Sequence, residues 1–235
     1  MTWVGMIVLV LVALGGFLGW RKGALRGLVN LVGLAAIIIL SFQFKDFLGT
    51  IIVRFMPFLN FAGDYVNIFA VNFLFYQAIA FLIVFLLLYC VLNILINLSG
   101  MVEVLDRFTK IFELPSKIVG AIFGVFDMLI YVFLIGFVFL AVPTTAKYIM
   151  EDKVAITVVK QTPILSSVFG YSIRVEQTQY NIVKDSKKTE EGAKDASLAI
   201  VRDLIGYDVV EADLIQETID NGKLHLENVT VASAK

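Results

Sequence analysis

The chain has 235 residues, 59% of them hydrophobic and only 17% charged, with a mean hydropathy of +0.88 and a net charge of −1. A water-soluble domain carries about 45–50% apolar and about 25% charged residues, so the surplus here requires lipid as its solvent. A near-neutral balance without a basic patch leaves nucleic acid out as a partner.

The charge divides along the chain. Residues 1–142 hold eight Lys/Arg and six Asp/Glu, and residues 143–235 hold eleven and fourteen. This predicts an all-α membrane protein: a transmembrane domain over 1–142 with about four spans, then a soluble, mainly helical polar tail over 143–235. Cys90, the only cysteine, lies in an apolar run and reads as a small hydrophobe.

The first span is expected over 2–19. It has no charge before it and Arg21, Lys22 and Arg26 after it, the reverse of a cleaved signal peptide. The second is expected over 27–44, just long enough to cross a core of about 30 Å. A single helix over 2–44 would place three basic residues near mid-bilayer, at roughly 2.5–3.5 kcal/mol each. A tight hairpin with the basic turn at the surface avoids that.

Residues 45–64 carry Lys45, Asp46, Arg54, Pro57 and Asp64 and predict short interfacial or re-entrant pieces. Residues 65–102 are free of charge, but Asn67, Asn72, Tyr76 and Gln77 place the third span over 78–98, with the earlier part tilted or bent. A charged loop over 100–117 with Pro115 leads to the fourth span, 118–142, which Pro143 stops.

In the tail, Leu198, Val201, Leu204 and Ile205 recur at helical spacing before Gly206. Asp208 with Glu211 resembles a capping box, opening a helix with Val210, Leu214 and Ile215. Residues 185–195 read as a solvated linker or helix end, and 224–231 form a short unassigned segment. Lys/Arg excess marks the cytoplasmic side. The turn after span one and the loop before span four hold it, so both termini are expected outside the cytoplasm.

The most specific pattern is a glycine ladder. Gly15, Gly19, Gly23 and Gly27 recur every fourth residue, and Gly120 and Gly124 repeat the spacing in span four. Small residues at this interval let two helix backbones approach, which predicts contact between spans one and four. Gly23 and Gly27 are expected to serve the turn, where positive φ favours glycine.

The segment Gly16-Phe-Leu-Gly-Trp-Arg-Lys-Gly-Ala-Leu-Arg-Gly-Leu-Val-Asn-Leu-Val-Gly resembles the signature of the colicin V production protein family. The stretch from Leu105-Asp106-Arg107 through Gly120-Ala-Ile-Phe-Gly124 is similar to the family's second block, so the resemblance covers roughly 3–142. It implies a small multi-pass bacterial inner-membrane protein, linked by the family name to bacteriocin or toxin production, with no enzymatic activity attached. Two positions depart from the pattern. Thr2-Trp3 stands where members often have an acidic residue, and Asp127 where they often have a basic or small one.

Asp127 is the foremost single-residue candidate, about 14 Å into span four, where a charge is costly. Three readings stay open: a hydrogen bond to Asn93 or Asn72, an ion pair with Arg26 or Arg21, or a place on a proton or solute path. Enzyme signatures fail in turn. His225 is the only histidine, and no phosphate-cradling Gly-x-x-x-x-Gly-Lys-Ser/Thr run exists. Asn228-Val-Thr230 is a formal glycosylation triplet, void in a bacterium. No cofactor is expected. The expected partners are the lipid bilayer and either another membrane protein or further copies of the chain. The expected role is non-catalytic, in toxin production or export and envelope maintenance. The alternatives are a transporter subunit built around Asp127 and an anchor presenting the tail.

Overall fold

The computed structural model describes residues 2–98, 113–162, 165–186 and 188–226. The helices are Trp3–Lys22 (α1), Ala24–Phe55 (α2), Val71–Leu98 (α3), Glu113–Ala141 (α4), Pro143–Met150 (α5), Lys153–Gln161 (α6), Leu165–Val168 (α7), Gly170–Asp185 (α8), Glu190–Gly206 (α9) and Ala212–Asp220 (α10). A 3-10 turn, Gly63–Tyr65, lies between α2 and α3. No strand occurs among the described residues. Four helices are long and apolar enough to cross a membrane: Trp3–Lys22, Ala24–Phe55, Val71–Ile96 and Pro115–Ala141. The protein is an all-α, multi-pass membrane protein.

The span boundaries move from those expected. α2 does not end at Phe44 but runs 32 residues to Phe55, about 48 Å against a core of about 30 Å. The re-entrant pieces expected from residue 45 onward are absent over 45–55. Lipid limits a span; it does not limit a helix. Nothing in 45–55 breaks the backbone ladder, and the charges find partners. Buried Lys45 donates to Asp46 at 2.5 Å and to Gln77 at 3.3 Å, and Arg54 to Glu217 at 3.0 Å. Pro57 is the first true breaker.

α3 likewise starts at Val71 and not at Ala78. Asn72 does not mark a bend. Its side chain accepts from the Leu59 amide at 2.9 Å and donates to the Leu59 carbonyl at 2.9 Å, pinning the α2–α3 loop.

The α1–α2 connection is a single residue, Gly23, with φ +80°. The two helices do not pack along each other, because α4 lies between them: α1 rests on α4, and α2 on both α3 and α4. Large apolar side chains on α1, among them Met6, Val10 and Phe17, stay exposed where lipid would cover them.

Four crossings bring Thr2, the α2–α3 loop and the tail to one end. The tail shares its core with the spans there. Phe169 is fully buried among Phe42, Phe81, Phe133 and Phe137, with ring centroids 4.6–5.3 Å away. A second core joins Val53, Ile68, Phe73 and Leu74 to Val175, Ile200, Leu204 and Leu214. Lys223 caps α2 through the carbonyls of Val53 at 2.9 Å, Met56 at 3.2 Å and Arg54.

Two readings of the tail change. The segment 185–195 is not a linker throughout, since α9 starts at Glu190 with Thr189 accepting from the Gly192 amide at 3.1 Å. Asp208 is not a cap. It has φ +53°, and α10 opens after Glu211 without a side-chain cap. Glu103, Asp106, Arg107 and Lys110, the Leu105-Asp106-Arg107 block and the Asn228 triplet lie outside the described residues.

Candidate functional site

The α1–α4 seam is built from glycine. A Cβ on Gly19 would meet the Gly120 carbonyl oxygen at 2.2 Å and the Gly124 Cα at 2.7 Å. One on Gly124 would meet the Gly15 oxygen at 2.2 Å, and one on Gly120 the Gly19 oxygen at 2.6 Å. Backbone lies on backbone, with no room for a methyl group. This packing gains dispersion where lipid supplies no hydrophobic drive.

Gly27 takes a different place from the turn role expected for it. α2 already begins at Ala24, so Gly27 sits one turn inside the helix, where an added Cβ would lie 3.0 Å from Phe123 Cβ. Of the basic residues, Arg21 and Lys22 close α1, where the helix dipole favours cations, and Arg26 opens α2. The Ala24 amide donates to Ser116 at 2.9 Å, tying this turn to the start of α4.

Asp127 is buried against this seam, 7% exposed. Its partner is neither Asn93 nor Asn72. Asn93 is exposed and donates to the Tyr89 carbonyl of its own helix at 2.8 Å, and Asn72 is spent on the loop. The hydrogen bond comes from Asn30 of α2, whose Nδ2 donates to Asp127 Oδ2 at 2.7 Å. The other oxygen, Oδ1, is buried without a hydrogen-bond partner.

Asp127 and Lys22 line one small cavity of about 100 Å³ together with Gly15, Gly19 and Tyr131. Tyr131 adjoins Asn30 and Tyr89. Of the three basic residues near this turn, Lys22 lines the cavity and its charge acts on Asp127, whereas Arg21 and Arg26 are not part of the lining.

Asn30 and Tyr131 carried no signal in the sequence. Asn30 falls inside an apolar run seven residues after Gly23, and only the crossing of α2 over α4 brings it to Asp127. Among the described residues, no three His, Cys, Asp or Glu side chains come together as a metal-holding group.

The arrangement can hold one carboxyl group between a donor amide, a phenol and a lysine, beside a void large enough for water. No curated protein and no solved structure matches the chain. Residues 4–163 match the family model described as colicin V production protein. This match takes in all four spans, the glycine seam, Asn30 and Asp127 as well as the start of the tail, well over half the chain, so the protein belongs to the colicin V production protein family, and that membership supports a role in colicin production.

Proposed function

We propose that this protein is a non-catalytic component of the bacterial cell membrane, the inner membrane where there are two. In this reading it supports colicin production by serving export or envelope maintenance, with the tail presented outside the cytoplasm. One observation carries the reading. The tail is fastened to the bundle by Phe169, Lys223 and Asp152 and forms a fixed surface at one end. Such a surface suits a scaffold that docks another membrane protein or a further copy of the chain. Arg21, Lys22 and Arg26 lie at the opposite end from the tail, which supports the orientation under the positive-inside rule.

The test is complementation of a deletion strain that makes the colicin. Wild type should restore toxin in the medium, and Gly19→Leu should leave it trapped or unmade with no soluble enzyme activity lost. Normal secretion and an intact envelope in the deletion strain would sink the reading. A second reading, a transporter subunit working around Asp127, draws on the unpartnered Oδ1 beside a void. Asp127→Asn separates the two: it abolishes secretion in a transporter and spares it in a scaffold.

A further inference from the structure

Beyond the last span, a cleft of about 390 Å³ opens between the 3-10 turn, α5 and α8. Asp64, Tyr65, Lys147, Glu151, Tyr180 and Lys184 line it. Its carboxylates are engaged. Asp64 pairs with Lys188 at 2.6 Å, and Glu151 accepts from the Tyr180 hydroxyl at 3.4 Å.

Each lysine rests against a ring face, and the Lys147 charge also acts on Asp64 at longer range. The Lys147 ammonium sits 4.9 Å from the Tyr148 centroid and that of Lys184 5.8 Å from Tyr180, and neither has a carboxylate at ion-pair distance among the described residues. With Lys188 counted against Asp64, one positive charge is in surplus. Burial, with the neighbouring Tyr180 and Asp64, raises the Tyr65 phenol above its ordinary range. Burial and the Glu151 charge raise that of Tyr180. The Tyr65 hydroxyl therefore remains a donor at neutral pH, while that of Tyr180 is given to Glu151.

The position of the cleft bears on what it could hold. Pro143 and Thr144 form part of its lining, immediately beyond α4, which ends at Ala141. Next to Lys147, Tyr148 meets Trp3 edge to face at 5.9 Å, the kind of aromatic pair that marks a bilayer surface. Tyr148 and Trp3 also close the top of an apolar groove of about 140 Å³ between α1 and α4, lined by Ile7, Leu11, Val132 and Ile135. A charged cleft just past the end of the last span and an apolar slot between α1 and α4 thus flank one short helix.

We infer that the cleft binds the phosphate of an anionic phospholipid in the leaflet on the tail side, between Lys147 and Lys184, with one acyl chain laid in the groove below Tyr148. A lysine ammonium is a well-matched charge partner for phosphate, and the Tyr65 phenol adds a neutral donor. The site would seat the tail on the bilayer and make its position sensitive to lipid charge.

The test uses the full chain purified in mild detergent and native mass spectrometry. Phosphatidylglycerol, phosphatidylcholine and inorganic phosphate are titrated separately. Wild type should retain one phosphatidylglycerol and hold phosphatidylcholine much more weakly. Lys147→Gln with Lys184→Gln should weaken the anionic lipid by roughly tenfold or more through the loss of two charge-assisted contacts. The double Lys→Arg variant should restore it, and Lys153→Gln with Lys160→Gln should leave it unchanged. Equal retention of the two lipids, unaltered binding by the double Gln variant, or an equal loss on removing Lys153 and Lys160 would each overturn the proposal. Saturation of the cleft by inorganic phosphate at the same concentration would overturn the lipid assignment in favour of a soluble phosphate.

Discussion

Asp152 binds Thr2 twice, accepting from its backbone amide at 2.7 Å and from its hydroxyl at 2.6 Å, and so joins the residue before α1 to the start of α6, the second helix after the last span. The same carboxylate caps α6 through the amides of Val154 and Ala155, both at 2.9 Å. Gly5 leaves space for it, since a Cβ there would lie 2.7 Å from Asp152 Oδ1.

Burial pushes the Asp152 carboxyl up, but the hydrogen bonds from Thr2, Ala155 and Val154 outweigh it and hold the group well below the usual carboxylate range. A depressed folded pKa contributes stability that is present above the unfolded value, about 3.9, and is lost as pH falls through the folded one. Asp152→Ala should cost about 2 kcal/mol at pH 6, from the lost cap and tether. The gap in melting temperature between the two proteins should narrow below about pH 4. A gap that does not change between pH 6 and pH 3 would contradict this.

At the seam, Gly19→Ala and Gly16→Ala should part company. A Cβ on Gly19 would lie 2.2 Å from backbone, which cannot yield without separating α1 from α4. A Cβ on Gly16 would lie 3.2 Å from the end of Val125, which can turn aside. Overpacking at Gly19 should cost about 2–3 kcal/mol, and Gly16→Ala should be near neutral or slightly favourable by helix propensity. Thermal aggregation in detergent ranks them. Equal melting temperatures for the two variants would remove the backbone-contact argument.

Phe169 plugs the bundle from the tail side. Phe169→Ala should cost about 3–5 kcal/mol of docking free energy and expose α8 and α9 to protease, leaving the four spans in the membrane. Limited trypsin digestion reads this at Lys184 and Lys188. If the tail is cut no faster than in wild type, Phe169 is not the anchor. Deleting residues 150–235 would remove this plug together with Asp152, so such a truncation tests the fold as well as the tail.

Glu176, 4% exposed, has one carboxylate oxygen buried without a partner, and burial raises its pKa well above the ordinary range. The neutral form is the folded one. Because the unfolded carboxyl ionises first, this group subtracts stability as pH rises above its ordinary value, at about 1.4 kcal/mol per unit of displacement. Glu176→Gln should raise the melting temperature at pH 7 and hardly change it at pH 4. A variant that melts lower than wild type at pH 7 would mean that the carboxylate is charged and partnered.

Much of the architecture was legible in the residues. Unbroken apolar runs have only one solvent available to them, so membrane class, four crossings and the break at Pro143 follow from composition and length. The helix ends did not follow. Lys45 and Asp46 read as a span boundary and lie inside α2, because their partners are one another and Gln77 on a different helix. Asp127 was visible as an anomaly. Its donor was not, because Asn30 comes 97 residues earlier in the chain.

What the sequence determined by itself is whatever depends on the solvent around each segment: which stretches enter lipid, that a basic, glycine-bearing turn separates the first two spans, and which small residues permit close approach. Beyond the α1–α4 contact that the glycine spacing predicted, the tertiary structure alone decided the pairings. That α4 separates α1 from α2, that Asn30 meets Asp127 and that Lys223 caps α2 depend on helix packing between residues distant in the chain. Local periodicity carries no record of such contacts.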